Sequence, residues 1–116
     1  MTSDAWKVFE LPELIERKKT MAAPYWEFLR VPALSCGLYT LAAGARDLQA
    51  PHDEDEVYTV ISGRARVRVG EAERDVGPGS ILFVRATEEH SFIEIIEDVT
   101  LLVFFASGGP PDPQAG

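Results

Sequence analysis

The chain has 116 residues with 11 Lys and Arg against 19 Asp and Glu, a net charge of −8, and 46% hydrophobic residues. That is enough apolar material for one modest core, which excludes a second domain and a wholly disordered chain. The acidic balance repels polyanions, so neither nucleic acid nor an anionic membrane surface is an expected partner.

The N-terminal residues Met1-Thr2-Ser3-Asp4 lack a basic region followed by an apolar run, and no apolar run approaches bilayer length. The expectation is a soluble cytoplasmic protein. Residues 11–19 carry a helical signature: Pro12 suits a first turn, acids come early and bases late, and Leu11, Leu14 and Ile15 form a short apolar stripe. This helix is expected to pack on a sheet. The pair Tyr25-Trp26 reads as an apolar plug on that sheet. Cys36 is the single cysteine, so no internal disulfide or cysteine-based zinc cluster forms. Among apolar neighbours, and with no histidine partner in sequence, it reads as a small core residue rather than a nucleophile.

From Tyr25 onward the pattern is β. Leu34–Leu41 reads as a strand, followed by a turn at 42–45, and Val57–Ile61 is a second β-prone run ended by Ser62-Gly63. In Arg64-Ala65-Arg66-Val67-Arg68-Val69 strict alternation puts Ala65, Val67 and Val69 on one face and the arginines on a solvated one. No aromatic residues interleave with these arginines, which argues against a phosphate groove. Val76–Ser80 is a turn cluster, and Ile81–Val84, His90–Ile96 and Thr100–Ala106 are further strands. Residues 107–116, rich in Gly and Pro, read as a disordered tail. Many short strands with Gly-rich turns predict an all-β closed barrel or sandwich.

Two histidines, His52 and His90, sit at strand edges. Asp53, Glu54 and Asp55 read as an exposed acidic turn. Glu56 differs, because it adjoins the apolar run 57–61 and a carboxylate turned into a barrel is costly to bury alone. A divalent metal shared with imidazoles would satisfy it.

The spacing Gly44, five residues, Ala50, one residue, His52, three residues, Glu56, six residues, Gly63 resembles the first cupin motif, with Ala50 in place of its first histidine. Gly79 and His90 match the second motif, from which Arg85, Thr87 and Glu94 depart. The segment Gln49-Ala50-Pro51-His52 through Asp55-Glu56-Val57-Tyr58 also looks like a branch of small cupins that carry Q-x-P-H-x-x-D-E-x-Y. The resemblance covers residues 34–106. It implies a double-stranded β-helix (a jelly-roll, or cupin, barrel) over 34–106, with 1–33 as an N-terminal segment whose short helix packs on the barrel. It further implies one divalent metal inside, held by His52, Glu56 and His90, with the Ala50 position empty. Gln49 or a water is the candidate for the missing ligand, Gln49 a weak one since strand alternation points it away unless a bulge intervenes.

Two imidazoles and one carboxylate are the donor set of non-haem Fe(II) centres, and Mn, Ni, Co and Zn also accept it. Alternation along 90–96 puts His90, Phe92, Glu94 and Ile96 on one face and Ile93 and Ile95 on the other. Glu94 is therefore expected to turn inward as an acid/base candidate. Tyr58, in phase with Glu56, is the second catalytic candidate, with a core tyrosine as the plainer reading. Ile93 and Ile95 would form an outward apolar stripe needing cover by the N-terminal segment or a second subunit, and the resemblance implies a homodimer.

Three functions fit these residues. The first is a metal-dependent oxygenase or dioxygenase acting on a small organic molecule. The second is a redox-neutral isomerase, lyase or cyclase. The third is a binding barrel without turnover, for which the loss of a histidine at Ala50 argues.

Overall fold

The computed structural model describes residues 5–47 and 53–106. One helix, α1 (Leu11–Lys18), precedes six strands: β1 (Tyr25–Val31), β2 (Leu34–Leu41), β3 (Glu56–Val69), β4 (Ala72–Val76), β5 (Ile81–Val84) and β6 (His90–Phe105). All pairings are antiparallel, in the order β1-β2-β6-β3-β4, with β5 on the free side of the first half of β3.

α1 carries Pro12 in its first turn as expected, with Glu13 also in that turn and Arg17 and Lys18 in its last. Leu14 is buried, and Lys18 is also 95% removed from solvent. The Lys18 ammonium donates to the Ala23 carbonyl at 2.8 Å and to Thr40 Oγ1 at 2.9 Å, which ties the helix to β2. β1 hydrogen-bonds to β2 from Tyr25↔Tyr39 to Val31↔Leu34, so the sheet begins at Tyr25 and the N-terminal segment contributes a strand as well as a helix.

The two runs read as separate strands on either side of Gly63 are one strand, β3, and those on either side of Asp98 are one strand, β6. Both bend. Glu56, Tyr58 and Val60 are buried in the first half of β3, but Ala65 and Val67 are buried in the second, so the inward parity changes by one residue. The β3–β6 register shifts repeatedly between Val60 and Ala65, which absorbs that change. Glu56 and Val69 would lie about 43 Å apart on a straight strand at roughly 3.3 Å per residue. The bend instead lets the two halves of β3 face one another across the barrel. Gly63 makes it possible: its φ is +88°, and a Cβ there would run into the backbone of Asp98 and Val99.

The core fills the space between the halves with Tyr39, Leu41, Tyr58, Val60, Ala65, Val67, Phe92, Ile95, Val99, Leu101 and Val103, among others. The arginines of β3 point outward as expected. Arg66 pairs with Glu73 and Asp75 at 3.0 and 2.8 Å, and Arg68 with Glu73 at 2.6 Å. The expected outward stripe is corrected. Ile95 is buried, while Ile93 and Ile96 are exposed, because β6 carries a bulge after Phe92: Val67 pairs with Phe92 but Arg66 pairs with Glu94. Large apolar side chains also face solvent on β5 and at the end of β6, at Ile81, Phe83 and Phe104. The predicted tail, 107–116, lies outside the described residues.

Candidate metal centre

Glu56 opens β3 and His90 opens β6. The bend brings these two strand starts together inside the barrel, where His90 Nε2 lies 2.9 Å from Glu56 Oε1 and each side chain is 1% exposed. Their convergence fits the expectation for two of the three candidate ligands. His52 and Gln49 lie outside the described residues. Among the described residues no three His, Cys, Asp or Glu side chains cluster as a metal site.

The partners of His90 fix its useful nitrogen. Nδ1 lies 2.9 Å from the Glu88 carbonyl, which only accepts, so Nδ1 carries a proton. In the neutral ring Nε2 then presents a lone pair into the barrel, the arrangement a metal-ligating histidine needs. Nε2 faces the Tyr58 hydroxyl at 3.2 Å as well as Glu56. The nearby Glu56 side chain holds the imidazole above its usual range, against the opposing effect of burial.

Glu56 is less well served. Oε2 has no hydrogen-bond partner among the described residues, and the compensation at Oε1 is the contact with His90. A buried carboxylate left in that condition is costly. A buried carboxylate with one oxygen unpartnered among the described residues, 2.9 Å from an imidazole nitrogen that offers a lone pair when the ring is neutral, has the chemistry of a cation site. The residues present fit a divalent metal.

Tyr58 joins this centre to open space. Its ring packs edge-on against Phe92 at 5.2 Å, and it forms one wall of a cavity of about 290 Å³. Tyr25, Ser35, Tyr39, Val103 and Phe105 line the remainder, with Glu27, Arg30 and Glu54 supplying the charges. Tyr25 packs edge-on against Tyr39 and Phe105, at 6.3 and 6.1 Å, and borders the cavity. Its hydroxyl is buried over Gly37, where a Cβ would collide with it.

Glu94 does not join the centre. The bulge at Ile93 reverses the alternation, and Glu94 is exposed opposite Arg66 on the outer face. This corrects the expectation that it turns inward with His90. Cys36 is buried as expected, and burial pushes its thiol up to about 11, which suits a core residue and not a nucleophile.

Two aspartates escaped the sequence reading. Asp55, taken as part of an exposed turn, accepts the Ala86 N–H at 2.8 Å through its carboxylate and the Ala106 N–H at 2.9 Å through its carbonyl. Asp47 accepts the Tyr39 hydroxyl and the Phe92 N–H, both at 2.8 Å. They flank the segment that contains His52. Their only signal in the sequence is an acid on each side of the segment that contains the candidate His52.

Comparison with known proteins agrees with this architecture. A sequence profile described as the Cupin domain matches residues 37–105. An uncharacterized protein of Streptomyces coelicolor is 43% identical over 106 residues, which cover 91% of this chain and 98% of the relative. Among solved structures, the DMSP lyase DddQ from Ruegeria pomeroyi DSS-3 superposes with a TM-score of 0.61 at 22% identity, over 66% of this chain and 39% of the lyase. This chain thus spans about two fifths of that enzyme. A putative mannose-6-phosphate isomerase from Ralstonia eutropha JMP134 superposes with a TM-score of 0.64 at 21% identity, over 73% and 87% of the two chains. The motif glycine at the bend of β3 and the buried glutamate that opens it thus have a common explanation: the chain belongs to the cupin family.

Proposed function

We propose that this cupin is a metal-dependent enzyme acting on a small organic molecule in the Tyr58-lined cavity, with oxygenase or dioxygenase chemistry as the first reading. The observation that carries it is the buried Glu56 carboxylate, whose Oε1 lies 2.9 Å from Nε2 of His90 and whose Oε2 has no hydrogen-bond partner among the described residues. His52 would complete a donor set of two imidazoles and one carboxylate. Fe(II) is the metal this set favours, with Mn, Ni, Co and Zn as other candidates. When bound, such an ion supplies Lewis acidity and, if redox-active, electrons for O₂.

The chain's own part is positional. Glu56 and His90 would hold the ion beside Tyr58, which connects them to the cavity, and Val103 and Phe105 would give the substrate an apolar wall. Tyr58, on the cavity wall and within 3.2 Å of Nε2, is placed to hold or move a proton at the substrate. That placement favours a second reading, a redox-neutral isomerase, lyase or cyclase in which Tyr58 serves as acid or base.

Elemental analysis of the chain as isolated, beside His52→Ala and His90→Ala, tests the centre. Near-stoichiometric metal in the wild type and its loss in both variants is the expected result; equal metal content in all three refutes it. Oxygen consumption by the Fe(II)-loaded chain with enol, thiol and catechol substrates then supports the first reading. Anaerobic turnover with Zn or Ni, abolished by Tyr58→Phe, supports the second. Tight ligand capture with neither would mark a binding barrel.

A further inference from the structure

We infer that Asp47 is a positioning residue for the candidate centre, tying β6, the strand that His90 opens, to β2 with a single carboxylate. The inference rests on the metal reading of Glu56, His90 and His52.

β3 covers only one edge of the first half of β6. The other edge is met by residues 44–47: the Gly44 N–H donates to the Ile95 carbonyl at 3.0 Å, and Asp47 Oδ2 accepts the Phe92 N–H at 2.8 Å. Asp47 thus uses a side-chain oxygen where a neighbouring strand would offer a backbone carbonyl, and it does so at the bulge, where the β6 ladder is irregular. Its Oδ1 accepts the Tyr39 hydroxyl from β2, also at 2.8 Å. Both donors are buried residues, and hydrogen bonds to an ionised acceptor are among the stronger ones.

The two ends of this clasp both bear on the centre. Phe92 lies two residues past His90 on the same inward face and packs on Tyr58, the hydroxyl that meets Nε2. Asp47 itself is the last described residue before the segment with His52. Fixing one carboxylate between β2 and β6 therefore holds the strand from which His90 enters the centre and the Phe92 ring that backs Tyr58. Partners of this outer kind change metal affinity by about 10–100-fold when removed.

A residue that merely stabilised the barrel would behave differently, and three variants separate the cases: Asp47→Ala, Asp47→Asn and, as a control, Val99→Ala, buried beside Gly63 at the bend. Co(II) titration followed by visible absorption reads the centre, and amide hydrogen exchange of Phe92 in the metal-free protein reads the clasp. Asp47→Ala is expected to weaken Co(II) about 10–100-fold, alter the absorption envelope and speed Phe92 exchange. Asp47→Asn keeps one acceptor and should fall between, so the comparison survives if the alanine variant does not fold. Val99→Ala should lower stability yet bind Co(II) like wild type. Wild-type Co(II) affinity in both Asp47 variants, or an equal loss in Val99→Ala, overturns the inference. A wild-type chain that takes up no Co(II) overturns the metal reading itself. Phe92 exchange then still decides whether the clasp exists, and an unchanged rate in the Asp47 variants refutes it.

Discussion

Glu56 is the one buried carboxylate among the described residues: it is 1% exposed, its Oε1 lies 2.9 Å from the His90 imidazole, and its Oε2 has no hydrogen-bond partner among them. If its purpose were structural, replacing it with a neutral isostere would remove a contact and weaken the fold. If its purpose is to hold a cation, the same change relieves a buried charge and removes a ligand. Glu56→Gln is therefore expected to bind metal at least about 100-fold more weakly, beyond the range of outer-partner changes. The metal-free variant should melt within a few degrees of the wild type or above it. Isothermal titration with Zn(II) and a thermal melt in chelator check the two halves. A variant that keeps its metal, or one that collapses without it, would contradict this account of Glu56.

At the scale of elements, the bend in β3 and β6 makes the site, and Gly63 is its pivot. With φ at +88° and the Asp98 and Val99 backbone against its open side, an alanine there meets both conformational strain and collision. Gly63→Ala is expected to destabilise the chain by about 3 kcal/mol, the left-handed penalty plus an overpacking term. Gly79, at φ +89° in a turn with nothing near its missing Cβ, should lose only about 1–2 kcal/mol on the same change. Urea titration of both variants measures the difference, and equal losses would show that the bend tolerates a side chain. These elements also show what could be read in advance. β2 and β5 stood out with their bounds because each is a mostly apolar run set off by a turn signal, residues 42–45 after β2 and 76–80 before β5. Glu56 and His90 were found through spacing and resemblance. Glu94 was misplaced because the bulge at Ile93 has no glycine or proline to announce it. Asp47 was missed because its partners, Tyr39 and Phe92, lie eight and 45 residues away, and only the folded barrel brings them together.

Across the whole molecule, the candidate centre would act as a cross-link. Glu56 and His90 begin two different long strands, and β6 pairs with both β2 and β3, so a metal held by both residues would join the two halves of the barrel. A ligand that binds only the folded chain stabilises it by mass action, about 2.7 kcal/mol at a concentration one hundred times its dissociation constant. In a domain of this size each kcal/mol moves the midpoint by roughly 4 °C, so saturating metal should raise Tm by about 10 °C. Chelator should reverse the gain, and neither Glu56→Gln nor His90→Ala should show it. Differential scanning calorimetry of the metal-free chain with and without added Fe(II), Mn(II), Ni(II), Co(II) or Zn(II) makes the measurement and ranks the metals together. A midpoint unmoved by all five would mean that the buried carboxylate and imidazole meet only each other, and the metal reading would fall with it.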